Sequence, residues 1–101
     1  MARWQTHRSD GNAARLRAFL EAHGAQVDVI DTPVDWAIGY RGVSALAEVK
    51  TARGILRPNQ KAFLDGYKGL SAILRTEADC EALLAQMRLL GAVAKRIACP
   101  R

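Results

Sequence analysis

A chain of 101 residues supports one hydrophobic core and therefore one domain, residues 1–101. Half of its residues are hydrophobic and a quarter are charged, the balance of a globular protein rather than of a disordered or fibrous one. The net charge of +5 favours a polyanionic partner without requiring one, and the absence of both an N-terminal apolar leader and an apolar run near ~18 residues argues against secretion and against a membrane span.

Residues 1–8 are polar and basic and are expected to be partly mobile; residues 92–101, basic through Lys95, Arg96 and Arg101, are open between a flexible tail, an edge strand, a short helix and a partner-binding arm. Ser9, Asp10 or Asn12 can cap a first helix running to about His23. Its apolar positions Ala13, Leu16, Phe19 and Leu20 fit the helical period, and Gly24 is a natural stop. Gln26 to Ile30 alternates and reads as a strand, closed by Asp31-Thr32-Pro33. Residues 34–50 read as a hairpin turning at Arg41-Gly42, with both faces apolar enough to be covered. Residues 51–57 form a loop, and Pro58 opens a helix to about Lys68 with Phe63, Leu64 and Tyr67 facing inward. Leu70 to Arg75 is a fourth strand. Thr76-Glu77-Ala78-Asp79 resembles a capping box, and the helix it opens carries Cys80, Leu83, Leu84, Met87 and Leu90 at amphipathic spacing until Gly91. The order α-β-β-β-α-β-α predicts an α/β fold, a mixed sheet flanked by helices.

The hairpin carries the chemistry. A two-residue turn at Arg41-Gly42 makes opposed residues sum to 83, which sets Asp35 against Glu48. Directly opposed side chains have Cβ atoms roughly 4.5–5.5 Å apart, and like charges there are destabilising. A divalent cation between the two carboxylates removes the conflict, because hard oxygen ligands suit Mg²⁺ and Mn²⁺. Lys50 lies two residues beyond Glu48 and so on the same strand face. Two acids and a lysine suit metal-assisted hydrolysis of a phosphodiester. The acids fix the metal, and the lysine helps activate the water and offsets charge in the transition state. Gln60, early in the next helix, can reach the site as a neutral hydrogen-bonding group. Against this stands the plain reading of a Glu-x-Lys on a strand as two solvated charges.

Asp35, twelve intervening residues and Glu48-Val49-Lys50 resemble the motif of the PD-(D/E)xK nuclease superfamily. The wider set is similar to the small stand-alone VRR-NUC (virus-type replication-repair nuclease) domains of phages and bacteria: Arg8-Ser9-Asp10-Gly11-Asn12, a helix ending in Gly24-Ala25, Gly39-Tyr40-Arg41-Gly42, Arg57-Pro58-Asn59-Gln60 and an apolar strand before a last helix. This resemblance covers about residues 8–90. It implies a restriction-endonuclease-like α-β-β-β-α-β core and Mg²⁺- or Mn²⁺-dependent cleavage of DNA. It further implies Asp35 and Glu48 as metal ligands with the Val49 carbonyl, Lys50 as the catalytic lysine and Gln60 as the helix glutamine of the site. Homodimers acting on branched DNA such as four-way junctions, in the cytoplasm of a bacterium or of a phage-infected host, are also what it implies. Two positions depart from the pattern. Val34 stands where a proline usually precedes the aspartate. The first helix, which commonly supplies another acid, reads Asn12-Ala13-Ala14-Arg15, with Glu21 too far along and Asp10 usable only if the helix starts differently. One metal rather than two, or slow turnover, is the expected consequence.

Remaining residues fit around this frame. Arg41, Arg53, Arg57, Lys61 and Lys68 are expected to gather around the hairpin tip, the loop and the second helix, where together they can track DNA phosphates. His7 and His23 share no ligand spacing with a cysteine, which argues against zinc. Cys80 and Cys99 show no CxxC spacing and suit a reducing compartment. Trp36 points away from Asp35 and serves the core or a dimer interface, as the last helix also can. Trp4, beside Arg3, could stack on a base but is expected to fray. Two alternatives stay open: a catalytically weak DNA-binding module of the same fold recruited to replication or recombination partners, and a basic protein-interaction domain whose hairpin acids are accidental.

Overall fold

The computed structural model describes residues 7–97, with side chains from 12 to 93. Seven elements follow one another: α1 (His7–Ala22), β1 (Gln26–Val29), β2 (Trp36–Tyr40), β3 (Val43–Val49), α2 (Pro58–Gly66), β4 (Ser71–Leu74) and α3 (Glu77–Ile97). The strands form one mixed sheet in the order β1-β2-β3-β4, antiparallel except for the parallel pair β3 and β4, which α2 connects. Trp4, Cys99 and Arg101 lie outside the described residues, as do the side chains of His7, Asp10, Lys95 and Arg96.

The hairpin has the register read from its turn. Trp36 pairs with Ala47, Ile38 with Ala45 and Tyr40 with Val43. Arg41 and Gly42 both have positive φ, 53° and 82°, the twist that a two-residue turn between right-handed strands demands. Alternation then sorts the sheet. Val27, Trp36, Ile38, Tyr40, Ala45, Ala47 and Leu74 are buried on one face beneath Leu16 and Leu20 of α1 and Cys80, Leu83, Leu84 and Met87 of α3. Trp36, 4 % exposed, is a core residue and offers no dimer surface. Ser44, Leu46 and Glu48 alternate onto the other face, which α2 approaches through Gln60.

Three sequence expectations change. Helix α1 begins at His7, so Ser9, Asp10 and Asn12 lie within it and none is its cap. At its other end Gly24 (φ 94°) closes the helix as expected. The Gly24 and Ala25 amides donate to the carbonyls of Glu21 and Leu20 at 3.0 Å each, the paired pattern of a glycine-terminated helix. Helix α2 stops at Gly66 and buries no residue; Phe63 and Leu64 are only partly covered and Tyr67 is 39 % exposed. Helix α3 opens on the expected box, with the Asp79 amide donating to Thr76 Oγ1 (3.2 Å) and the Thr76 amide to Asp79 Oδ2 (3.1 Å). It then runs through Gly91 to Ile97. Gly91 is buried, and a Cβ there would lie 2.6 Å from the Arg41 carbonyl oxygen. The glycine allows α3 to pass close over the hairpin turn. On either side of that crossing Leu89, Leu90 and Val93 are exposed, so Leu90 does not join the core.

Candidate metal centre

Asp35 sits at the mouth of β2, where the turn of residues 30–35 holds it. Its carbonyl accepts from the amides of Ile30 (2.9 Å) and Asp31 (3.2 Å), and its side-chain Oδ2 accepts from the Val49 amide at 2.9 Å. The last of these bonds ties the carboxylate to β3 beside Glu48, where the register places it.

Glu48 is 2 % exposed, the one buried charged side chain among the described residues. Its Oε2 accepts from Gln60 Nε2 at 2.8 Å and lies 3.4 Å from Lys50 Nζ. Its Oε1 is buried with no hydrogen-bond partner. Burying a carboxylate oxygen without a partner is costly, and a cation bound at Oε1 would remove that cost. Burial, and then the nearby Asp35 charge, push the Glu48 carboxyl above the ordinary glutamate range, while Lys50 pulls it back.

Gln60 reaches Glu48 because its amide is held from behind. Arg57, the residue before α2, donates its backbone N–H to Gln60 Oε1 at 3.0 Å, leaving Nε2 aimed at Glu48. The glutamine therefore positions the glutamate. Lys50 is also framed: its amide donates to Leu74 O (3.1 Å), and its carbonyl accepts from Asn12 Nδ2 of α1 (3.0 Å). Asn12, from the helix expected to carry an acid, thus serves as a tie between α1 and the end of β3. Glu21 pairs with Arg17 on the exposed side of α1, 3.0 Å away.

These groups line a pocket of about 990 Å³ that holds Asp35, Glu48, Val49, Lys50 and Gln60 together. Ala13 and Ala14 form its α1 wall, and Arg57 and Ile55 its loop rim. Asp31 lines the same pocket, but among the described residues no three of the histidines, cysteines, aspartates and glutamates are grouped to hold one ion. The donor set fits one hard cation through two carboxylates, one with an unsatisfied buried oxygen, and Val49, whose carbonyl the resemblance adds as a ligand, lines the same pocket.

The basic residues divide. Arg53 and Arg57 are exposed on the loop that follows Lys50. Lys61 and Lys68 are exposed on and just after α2, Lys61 pairing with Asp65 at 2.9 Å. Arg41 stands apart, at the tip of the hairpin. About 17 Å of strand separates Val43 from Glu48, and Arg41 packs over the Tyr40 ring at 5.4 Å, next to Gly91 of α3. Sequence reasoning grouped it with the others because the tip and the loop are close in sequence, yet they occupy opposite ends of β3.

Two residues of the site frame were not legible beforehand. Arg75 donates from Nη1 to the carbonyls of Thr51 and Gly54, both at 2.7 Å, and so fixes the loop. Arg17 contributes to the pocket wall while donating to Val27 O at 3.1 Å. Both act through long-range bonds to main-chain oxygens, which leave no spacing pattern. Among the described residues, no helix is long and apolar enough to cross a membrane. In comparisons with known proteins, no family model, no curated protein and no solved structure matched the chain.

Proposed function

We propose that the chain is a divalent-metal-dependent DNA endonuclease of the PD-(D/E)xK type, similar to the stand-alone VRR-NUC domains. The observation that carries this reading is Glu48 Oε1, a buried carboxylate oxygen with no partner, set beside Asp35 and Lys50. Asp35, Glu48 and the Val49 carbonyl would hold one Mg²⁺ or Mn²⁺ ion. Such an ion supplies polarisation of a phosphoryl oxygen and a lowered pKa for bound water. Lys50 contributes a fixed cation toward the extra negative charge of the phosphorane-like transition state and a donor that orients the attacking water. Gln60 keeps the Glu48 carboxylate turned into the pocket. Arg53 and Arg57 at the rim, with Lys61 and Lys68 beyond, are suited to the phosphates on either side of the cleaved bond. Arg41 would meet DNA only at a second contact, at the far end of the sheet.

Branched DNA, such as a four-way junction, is the substrate class carried over from the resemblance, and the cytoplasm of a bacterium or phage-infected host is the matching compartment. A homodimer would extend the short DNA-binding surface of an 11.0 kDa chain. Leu89, Leu90 and Val93 on the outer side of α3 are the apolar side chains available to join two copies.

One observation favours a second reading, a DNA-binding module with little or no catalysis. Helix α1 presents Ala13 and Ala14 to the pocket where the family commonly has an acid, and Asn12 is occupied with Lys50 O. Purified protein incubated with branched and linear DNA in Mg²⁺, Mn²⁺ or EDTA separates the two. Metal-dependent cleavage that Lys50→Ala abolishes supports the nuclease. Salt-sensitive binding without cleavage supports the module, and no DNA affinity at low salt would sink both.

A further inference from the structure

Residues 51–57 follow directly on Lys50 and form the rim of the pocket. Ile55 on this loop is 83 % exposed, more than any other large hydrophobic side chain among the described residues. A lone exposed isoleucine is ordinary, but its setting here is not. The backbone beneath it is fixed: Arg75 Nη1 donates to Thr51 O and Gly54 O at 2.7 Å each, and the Gly54 amide donates to Thr51 O at 3.0 Å. Gly54 also packs against Lys50, since a Cβ there would lie 3.2 Å from the Lys50 Cβ. The backbone that carries Ile55 is therefore held beside the lysine of the site, and its β-branched side chain has few χ1 rotamers to lose on contact with a ligand. Arg53 and Arg57, two residues to either side, are both exposed.

An apolar point between two cations, on a rigid rim, is the arrangement by which proteins grip phosphates and press a wedge against the face of a base pair. We propose that Ile55 is a specificity-determining residue that inserts against the unstacked base pair at a DNA branch. The wedge would thereby place the adjoining phosphodiester over Glu48 and Lys50. A branch already exposes such a face, whereas a continuous duplex must first be unstacked, so Ile55 favours the branch. This inference rests on the nuclease reading above.

The test uses the full chain with a four-way junction carrying 2-aminopurine beside the branch, and a continuous duplex of the same sequence. Both are bound in Ca²⁺ and cleaved in Mn²⁺. Wild type is expected to raise the 2-aminopurine fluorescence at the junction, and Ile55→Leu to preserve the rise. Ile55→Ala, at a position whose exposure protects the fold, should abolish that rise. It should also weaken junction binding on the order of tenfold, while duplex binding changes by no more than about twofold. Cleavage by wild type with a junction preference unmoved by Ile55→Ala, or an equal loss on both DNAs, would overturn this inference and leave the nuclease reading intact. Failure of wild type to bind or cleave either DNA would overturn both.

Discussion

Glu48 concentrates the chemistry of this molecule in one side chain. Its burial and the Asp35 charge make the protonated form easier to keep in the folded chain than in the unfolded one. For an acid whose folded pKa is raised, the stabilising contribution is complete below the ordinary glutamate pKa and disappears as pH climbs through the raised value. Metal-free protein should therefore lose thermal stability as pH rises through that window. Glu48→Gln should flatten the decline, because the amide has no proton to lose while its oxygen still accepts from Gln60. Thermal unfolding followed upward in EDTA from a pH below the ordinary glutamate pKa checks this, and a variant whose melting falls with pH as steeply as that of wild type would contradict it. At this scale much was legible in the sequence. Alternation alone placed Glu48 and Lys50 on one face, and the Arg41-Gly42 turn set Asp35 opposite. The tie from Asn12 to the Lys50 carbonyl was not legible, since a polar residue near a predicted helix start reads first as a cap.

Elements were legible where local chemistry decides them and not where tertiary contacts do. The hairpin register follows from a turn that two positive-φ residues can make, and the start of α3 from a capping box, so both are local and both stand in the structure. Gly91 was misleading for the converse reason. Glycine commonly ends a helix, but here it permits close approach to the Arg41 carbonyl, and the helix continues to Ile97. Helix propensity alone predicts that Gly91→Ala stabilises a helix interior by ~1 kcal/mol. The 2.6 Å approach to a backbone oxygen predicts the opposite sign, a destabilisation of about 1–3 kcal/mol as the hairpin tip or α3 is pushed away. Urea unfolding of the variant measures this directly, and a gain in midpoint would show that the crossing is looser than described. Helix α2 marks the same boundary from the other side. Its apolar residues suggested a buried stripe, yet it buries none, and its firm tie to the site is the Gln60 amide.

At the scale of the whole molecule, the two helices α1 and α3 cover one face of the sheet, and the acids sit at the end of β2 and β3 in a pocket shared by the start of α1, the loop and α2. This division leaves the outer side of α3 free. Leu89, 68 % exposed, and Val93, 52 %, stand one helical turn apart on it. If this stripe joins two copies, sedimentation at micromolar concentration should show a dimer for wild type and a monomer for Leu89→Glu, with circular dichroism unchanged because the side chain supports no core contact. A dimer that survives the substitution would place the interface elsewhere. The central claim, however, is the cation between Asp35 and Glu48, and titration of the DNA-free protein with Mn²⁺ tests it most directly. The account predicts one ion bound per chain, lost in Glu48→Gln, kept in Lys50→Ala, and weakened about 10–100-fold in Gln60→Ala, which removes the group that orients the ligand. Absence of Mn²⁺ binding at millimolar concentration, or binding that Glu48→Gln leaves unchanged, would contradict it.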